Sequence, residues 1–258
     1  MEVGGALALD DASAIATLLT GAVAILLRLS AMMMFLPGIG EIGVPMRVRM
    51  TLIIALTAAI SPVILPVQLD AVAEIDLFAL LAFEGLIGFS LGFIFRLLVM
   101  ALSVTGTIIS QSASLSQIFG PGFAQEPNPT IGTLLMVMGT ALFVTLDLHT
   151  YTVGLLMESY TLFPLGDVPD TGALSQWATQ QTAAAFSLAV SLALPFILIS
   201  FLYYLVLGLM NQAMPQMMVT FIGVPANVLA GIVILILAIS TIATVWLDVV
   251  KDGFGGFW

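Results

Sequence analysis

The sequence predicts an all-α membrane protein of helical hairpins, with about six apolar helical segments. Three observations predict it. Hydrophobic residues make up 60% of the 258-residue chain and charged residues only 8%, where a soluble domain carries about 25% charged residues. Mean hydropathy is +1.18. The apolar residues are gathered into runs long enough to cross a ~30 Å bilayer core as helices. Short stretches rich in Gly, Pro and acidic residues separate the runs.

The first run, Ala12 to Leu36, would reach roughly 38 Å as a helix and is interrupted only by Arg28. Pro37-Gly38-Ile39-Gly40 ends it, and the short loop Glu41 to Arg49 follows. The second run, Val48 to Leu69, is expected to kink or fray at Pro62 and Pro66. An acidic link with Asp70, Glu74 and Asp76 leads to the third, Leu77 to Leu102, which holds Glu84 and Arg96. The fourth is Ile131 to Met157, with Asp147 and His149 inside it. The loop Glu158 to Gln176 precedes the fifth, Trp177 to Met210, broken by Pro195. A tight turn, Asn211 to Gln216, joins it to the last run, Met217 to Leu247, which Gly223-Val224-Pro225 breaks early. The last two runs read as a helical hairpin.

Composition also excludes functions. The net charge of −10 does not favour nucleic acid. No cysteine and a single histidine, His149, argue against thiolate or histidine metal sites, and no cofactor is expected. The one lysine, Lys251, is not in a phosphate-binding loop motif, so the chain is not a P-loop ATPase. The first residues carry Glu2, Asp10 and Asp11 but no basic residue, so the first run is expected to be retained rather than cleaved as a signal peptide. Arg47 and Arg49 would put the first loop in the cytoplasm under the positive-inside rule.

One stretch departs from the apolar pattern. Ser103 to Thr130 carries Ser110, Gln111, Ser112, Ser114, Ser116 and Gln117, then Gly120-Pro121-Gly122 and Pro127-Asn128-Pro129. Irregular backbone at membrane depth survives only inside protein or beside a water-filled cavity. The stretch is therefore either an aqueous loop or a structure inside a channel.

The charges within apolar runs are the other candidates. Glu84 and Arg96 would lie about 18 Å apart along one helix, too far to pair, so each needs a partner from another segment. Such charges serve either as ion or proton relays or as structural pairs. Asp147 and His149, two residues apart, would point to opposite sides of a helix and form no dyad there. Gly88-Phe89-Ser90-Leu91-Gly92 matches the nucleophile elbow G-x-S-x-G, which needs a strand-to-helix turn. It lies within a helical pattern, where Gly85, Gly88 and Gly92 fit close helix packing better.

Six short matches in chain order resemble one family. They are Pro37 with VPMRVR (Val44 to Arg49), EGLIGFSLGF (Glu84 to Phe93), GTIISQSASLS (Gly106 to Ser116), DLH (Asp147 to His149), PLG (Pro164 to Gly166) and GLMNQAMPQMMVTFIGVP (Gly208 to Pro225). Together they look like the flagellar biosynthetic protein FliR and the T subunits of type III secretion export gates. The last match is the specific one, with Asn211, Pro215, Gln216, Gly223 and Pro225 at the family spacing. The chain departs from the family pattern at Gln212, Leu148 and Ala113.

The resemblance implies a non-enzymatic core subunit of a helical export-gate assembly in the bacterial inner membrane, at the flagellar basal body. Its implied partners are FliP-like and FliQ-like subunits, other export proteins of the FlhB and FlhA type, unfolded substrates in transit, and membrane lipid. Residues 1–172 would be a FliP-like part and 173–258 a FliQ-like hairpin. The stretch near Gly106–Thr130 would be a pore plug. There Gln111, Ser112, Ser114 and Ser116 are small or polar, Ile118 and Phe119 could wedge into a lumen, and Gly120 and Gly122 could hinge. Asn211, Gln212, Pro215 and Gln216 would shape the hairpin turn, with Gly223 and Pro225 packing against other subunits. Two other classes remain: an ion-coupled secondary transporter using Glu84, Arg96 and Asp147, and an intramembrane serine protease using Ser90.

Overall fold

The protein is all-α among the residues described by its computed structural model, 3–41, 43–73, 76–112, 130–213 and 219–253. Seven helices follow in order: α1 (Val3–Phe35), α2 (Met46–Ala73), α3 (Leu77–Ser112), α4 (Thr130–Thr145), α5 (Leu148–Leu162), α6 (Thr171–Ala213) and α7 (Val219–Gly253). Five are long and apolar enough to cross a membrane, and α4 with α5 makes a sixth candidate bent by 71°.

Local chemistry sets most helix ends. Gly38 takes a positive φ of 86° just beyond α1, and the Gly40 amide returns to the Leu36 carbonyl at 2.7 Å. Asp76 accepts from the Ala79 amide at the start of α3 (3.3 Å). Asp170 accepts from the amides of Gly172 (2.9 Å) and Ala173 (3.3 Å) at the start of α6. Both are N-terminal caps, which satisfy amides that have no partner within the helix.

Several boundaries differ from the sequence expectation. Pro62 and Pro66 lie within α2 and Pro195 within α6, and neither helix ends there. Helices in apolar surroundings tolerate proline because neighbouring groups re-satisfy the freed carbonyls. Likewise α7 runs through Gly223 and Pro225, and α6 continues past Met210 to include Asn211 and Gln212. The polar stretch does not break the chain at Ser103, because α3 continues to Ser112. Its hydroxyls bond back within the helix, Thr105 to the Ala101 carbonyl (2.8 Å), Thr107 to Ser103 (2.9 Å) and Ser112 to Ile109 (2.9 Å). The connection before α6 is shorter than expected, Phe163 to Asp170. Arg47 and Arg49 stand on the first turn of α2 rather than in a loop.

The chain divides into two compact units, residues 1–96 with 143–179, and 97–142 with 180–258. In the first unit α1 packs on α2. Ala24, Ile25, Arg28, Leu29, Met32 and Leu36 recur at helical spacing on the buried face of α1. From α3 the same unit buries Leu80, Glu84, Ile87 and Phe95, with Phe95 edge-on to Phe143 at 5.8 Å. The second unit buries Leu102, Thr105 and Ile109 of α3, Leu135 of α4, Ala189, Ala193 and Phe196 of α6, and Val228, Leu235, Ile242 and Trp246 of α7.

Candidate functional site

The first unit encloses a charge centre. Arg28 and Glu84 have no exposed side-chain surface, and the Arg28 guanidinium donates from Nε to Glu84 Oε2 (2.6 Å) and from Nη2 to Oε1 (3.0 Å). This two-pronged geometry is the strongest that arginine and carboxylate make. Nη1 donates to Ser159 Oγ (3.2 Å) and Nη2 also to the Phe163 carbonyl (3.0 Å). The guanidinium carbon stands 4.0 Å from the centre of the buried Tyr160 ring, a cation–π contact.

The centre holds the connection between α5 and α6. Glu84 Oε1 also accepts from the Gly166 amide (3.3 Å). Gln68 of α2 donates to the Tyr160 carbonyl and accepts from the Leu165 amide, both at 2.8 Å. Leu165 is buried and Gly166 takes a φ of 82°. The Pro164-Leu165-Gly166 motif is thus a turn whose amides are bonded by Gln68 and Glu84, with Arg28 on the Phe163 carbonyl just before it.

Arg96 pairs elsewhere, with Glu41 Oε1 at 2.8 Å, and this pair is partly exposed. The structure does not join Glu84 and Arg96. Asp147 differs from the expectation. It lies outside the helices, at the left-handed N-cap of α5 with φ 54° and ψ 24°. That break brings its Oδ1 to 3.9 Å from His149 Nε2, where a continuous helix would have turned the two apart. The Asp147 side chain is exposed, at 78%, and that of His149 is half-exposed, at 43%.

Gly88 and Gly92 form a close crossing with α1. A methyl at Gly88 would fall on the Arg28 carbonyl, and one at Gly92 would lie 2.6 Å from the Met32 carbonyl oxygen. Gly85 is less tight, with Leu27 at 3.8 Å. Ser90 lies inside α3, and its hydroxyl donates to the Leu86 carbonyl at 2.7 Å.

In the second unit three side-chain hydrogen bonds link α3 to α6 and α7 at positions of α3 seven apart, Leu98, Thr105 and Ser112. Trp246 Nε1 donates to the Leu98 carbonyl (2.8 Å). Thr105 Oγ1 donates to the Ala189 carbonyl (3.2 Å). Asn227 Nδ2 reaches the Ser112 carbonyl (3.4 Å) and the Tyr204 hydroxyl (3.3 Å). A seven-residue step returns to nearly the same helix face, so one stripe of α3 faces both α6 and α7. Gly106 lies next to that stripe, where an added methyl would stand 2.5 Å from Gly132 Cα of α4.

Of the remaining candidates, Gln111 and Ser112 form the end of α3. Ser114, Ser116, Ile118, Phe119, Gly120 and Gly122 lie outside the described residues, as do Pro215 and Gln216. The sequence reading missed Gln68, Ser159, Tyr160, Thr105, Asn227 and Trp246 as a set. Each joins segments far apart in the chain, and none has a local motif. Arg28 did carry a signal, as a charge inside an apolar run.

The profile of the family described as bacterial export proteins, family 1, matches residues 19–253. The chain is 32% identical over 234 residues to the flagellar biosynthetic protein FliR of Caulobacter vibrioides, covering 86% of this chain and 89% of that one. It is 30% identical over 234 residues to FliR of Aquifex aeolicus, covering 89% of each. It is 30% identical over 210 residues to FliR of Escherichia coli, covering 80% of this chain and 79% of that one. The motifs matched in order, the apolar helices and these near-full-length similarities agree, and the chain belongs to the FliR family of bacterial flagellar export proteins.

Proposed function

We propose that this chain is a non-enzymatic core subunit of the flagellar export gate. It forms, with FliP-like and FliQ-like subunits, the pore through which unfolded substrates leave the cell. It works in the inner membrane at the basal body, beside FlhA-like and FlhB-like proteins. The match of residues 19–253 to a family of export proteins carries this reading.

The side-chain chemistry supports a structural role for the candidate residues. Glu84 is bonded to Arg28 and Arg96 to Glu41, so two of the three charges that a transporter would use to couple ions are held in pairs. Ser90 is bonded to its own helix and sits on no strand-to-helix turn, which disfavours a protease. Large exposed apolar side chains, among them Phe186, Phe201 and Leu209 of α6 and Leu229, Ile236 and Leu237 of α7, suit a subunit covered by lipid and partners. In this reading residues 1–172 correspond to a FliP-like part and 173–258 to a FliQ-like hairpin. Gln111 to Gly122 act in the plug, and Asn211 to Gln216 form the hairpin tip.

Affinity purification of the full chain in mild detergent tests the assembly: the FliP-like and FliQ-like proteins should come with it. A stable monomer recovered alone would overturn the reading. Deleting 114–122 should leave that assembly intact and let ions or small solutes leak across the membrane. A deletion mutant that assembles and stays as tight as wild type would reject the plug while leaving the subunit role standing.

A further inference from the structure

The chain has five basic residues, and the structure treats them unevenly. Arg28 and Arg96 are paired with carboxylates. Arg47 and Arg49, on the first turn of α2, have no carboxylate at ion-pairing distance among the described residues. Arg47 is exposed and its guanidinium makes no hydrogen bond to a described residue. Arg49 Nη2 donates to the Glu41 carbonyl at 3.0 Å, while its buried Nε has no partner. In a chain of net charge −10, no described carboxylate neutralises these two cations.

The surface beside them is apolar. An open groove of about 580 Å³ starts at Arg47 and runs along α2 past Val48, Thr51, Leu52 and Ala55 to Leu56. Nine residue steps along the helix give it a length of roughly 14 Å. Arg47 stands one residue inside the end of the candidate membrane span Met46–Gln68. A guanidinium at the end of a span lies at headgroup depth, while the next two turns lie along acyl chains.

From this arrangement we infer that the first turns of α2 bind an anionic phospholipid. Arg47 and Arg49 take the headgroup phosphate, and one acyl chain lies along the groove from Val48 to Leu56. A hydrophilic acidic segment would satisfy the cations but not the groove, and a neutral lipid would satisfy the groove but not the cations. The order of features along the helix, cation first and apolar groove deeper, matches a phospholipid.

The test uses the full chain, with whatever proteins accompany it, extracted in mild detergent and exchanged into nanodiscs of phosphatidylcholine with a minor share of phosphatidylglycerol. Mass spectrometry then reads the lipid that stays bound after re-extraction. Wild type should retain phosphatidylglycerol over phosphatidylcholine. Arg47→Gln and Arg49→Gln should each lower that enrichment about fivefold, and Arg47→Lys should keep most of it. Leu52→Trp, which fills the groove and leaves both arginines in place, should also lower retention. Lys251→Gln should not. The Arg47 guanidinium makes no hydrogen bond to a described residue, so its variant tests the site with the fold intact. Retention unchanged in Arg47→Gln would overturn the inference. So would displacement of the lipid by millimolar inorganic phosphate, which marks a free-anion site. A photo-crosslinker at position 51 that captures an acidic protein instead of lipid would overturn it as well.

Discussion

Arg28 of α1 and Glu84 of α3 meet through two hydrogen bonds, of 2.6 and 3.0 Å, with no part of either side chain exposed. Fifty-six residues separate them in the chain. Removing one partner leaves a buried charge uncompensated, which costs about 3–5 kcal/mol, whereas replacing both by apolar residues is often neutral. Arg28→Met alone and Glu84→Leu alone should each sharply reduce the amount of protein in the membrane. The double variant should recover a large part of it, less the bonds to Ser159, Phe163 and Gly166. Immunoblotting of membrane fractions checks this. A double variant as depleted as the worse single one would mean that the charges do more than neutralise each other.

The α1–α3 crossing gives a second test. Gly88→Ala puts a methyl onto the Arg28 carbonyl and Gly92→Ala puts one 2.6 Å from that of Met32. Backbone cannot yield as a flexible side chain does, so each should cost about 1–3 kcal/mol. Gly85→Ala meets only ordinary contact with Leu27, and at Gly154 nothing lies within 4 Å. Thermal melting of the detergent-purified assembly should rank Gly88→Ala and Gly92→Ala well below wild type, with Gly85→Ala and Gly154→Ala close to it. Ser90→Ala should leave export unchanged, and a loss of function there with normal protein levels would revive the nucleophile.

The sequence made the apolar helices legible because bilayer-length runs leave little freedom, and α1, α2, α3, α6 and α7 lie where those runs do. It misjudged where they stop. Pro62, Pro66 and Pro195 end helices in water but not among apolar neighbours, and the hydroxyls of Thr105, Thr107 and Ser112 continue α3 by bonding back to it. The break at Asp147 was not visible, because no Gly or Pro near it marks a helix end. The charge centre was half legible: Arg28 and Glu84 stood out singly, but pairing across 56 residues has no local signature.

The stripe on α3 gives a spatially resolved prediction. Trp246 and Asn227 bind its Leu98 and Ser112 carbonyls, and its own Thr105 binds the Ala189 carbonyl of α6, in separate bonds. A typical net hydrogen bond contributes about 1 kcal/mol, so no single loss should unfold the protein. Asn227→Leu should speed amide hydrogen exchange in the last turns of α3, before Ser112, and leave the turns near Leu98 protected. Trp246→Phe should do the reverse. If both variants speed exchange evenly along α3, the helix opens as one unit and the bonds are not independent.

Asp147 sets the last prediction. Its φ of 54° lies in the left-handed region, which costs an ordinary L-residue roughly 1–2 kcal/mol and glycine almost nothing, with asparagine and aspartate favoured among the rest. The helix bends by 71° at this point, between Thr145 and Leu148. Two roles are therefore open to the side chain: permitting the bend, or presenting a carboxylate to His149 at 3.9 Å. The pair is solvent-accessible, and such pairs contribute little, so the backbone role should dominate. Asp147→Asn and Asp147→Gly both keep the bend accessible and remove the carboxylate, and both should swarm in soft agar at close to wild-type rates. Asp147→Val lacks an easy left-handed conformation and should lower membrane levels and swarming together. His149→Gln should behave like wild type. If Asp147→Asn stops swarming while its protein level stays normal, the carboxylate itself is at work and the bend is not the reason for the aspartate.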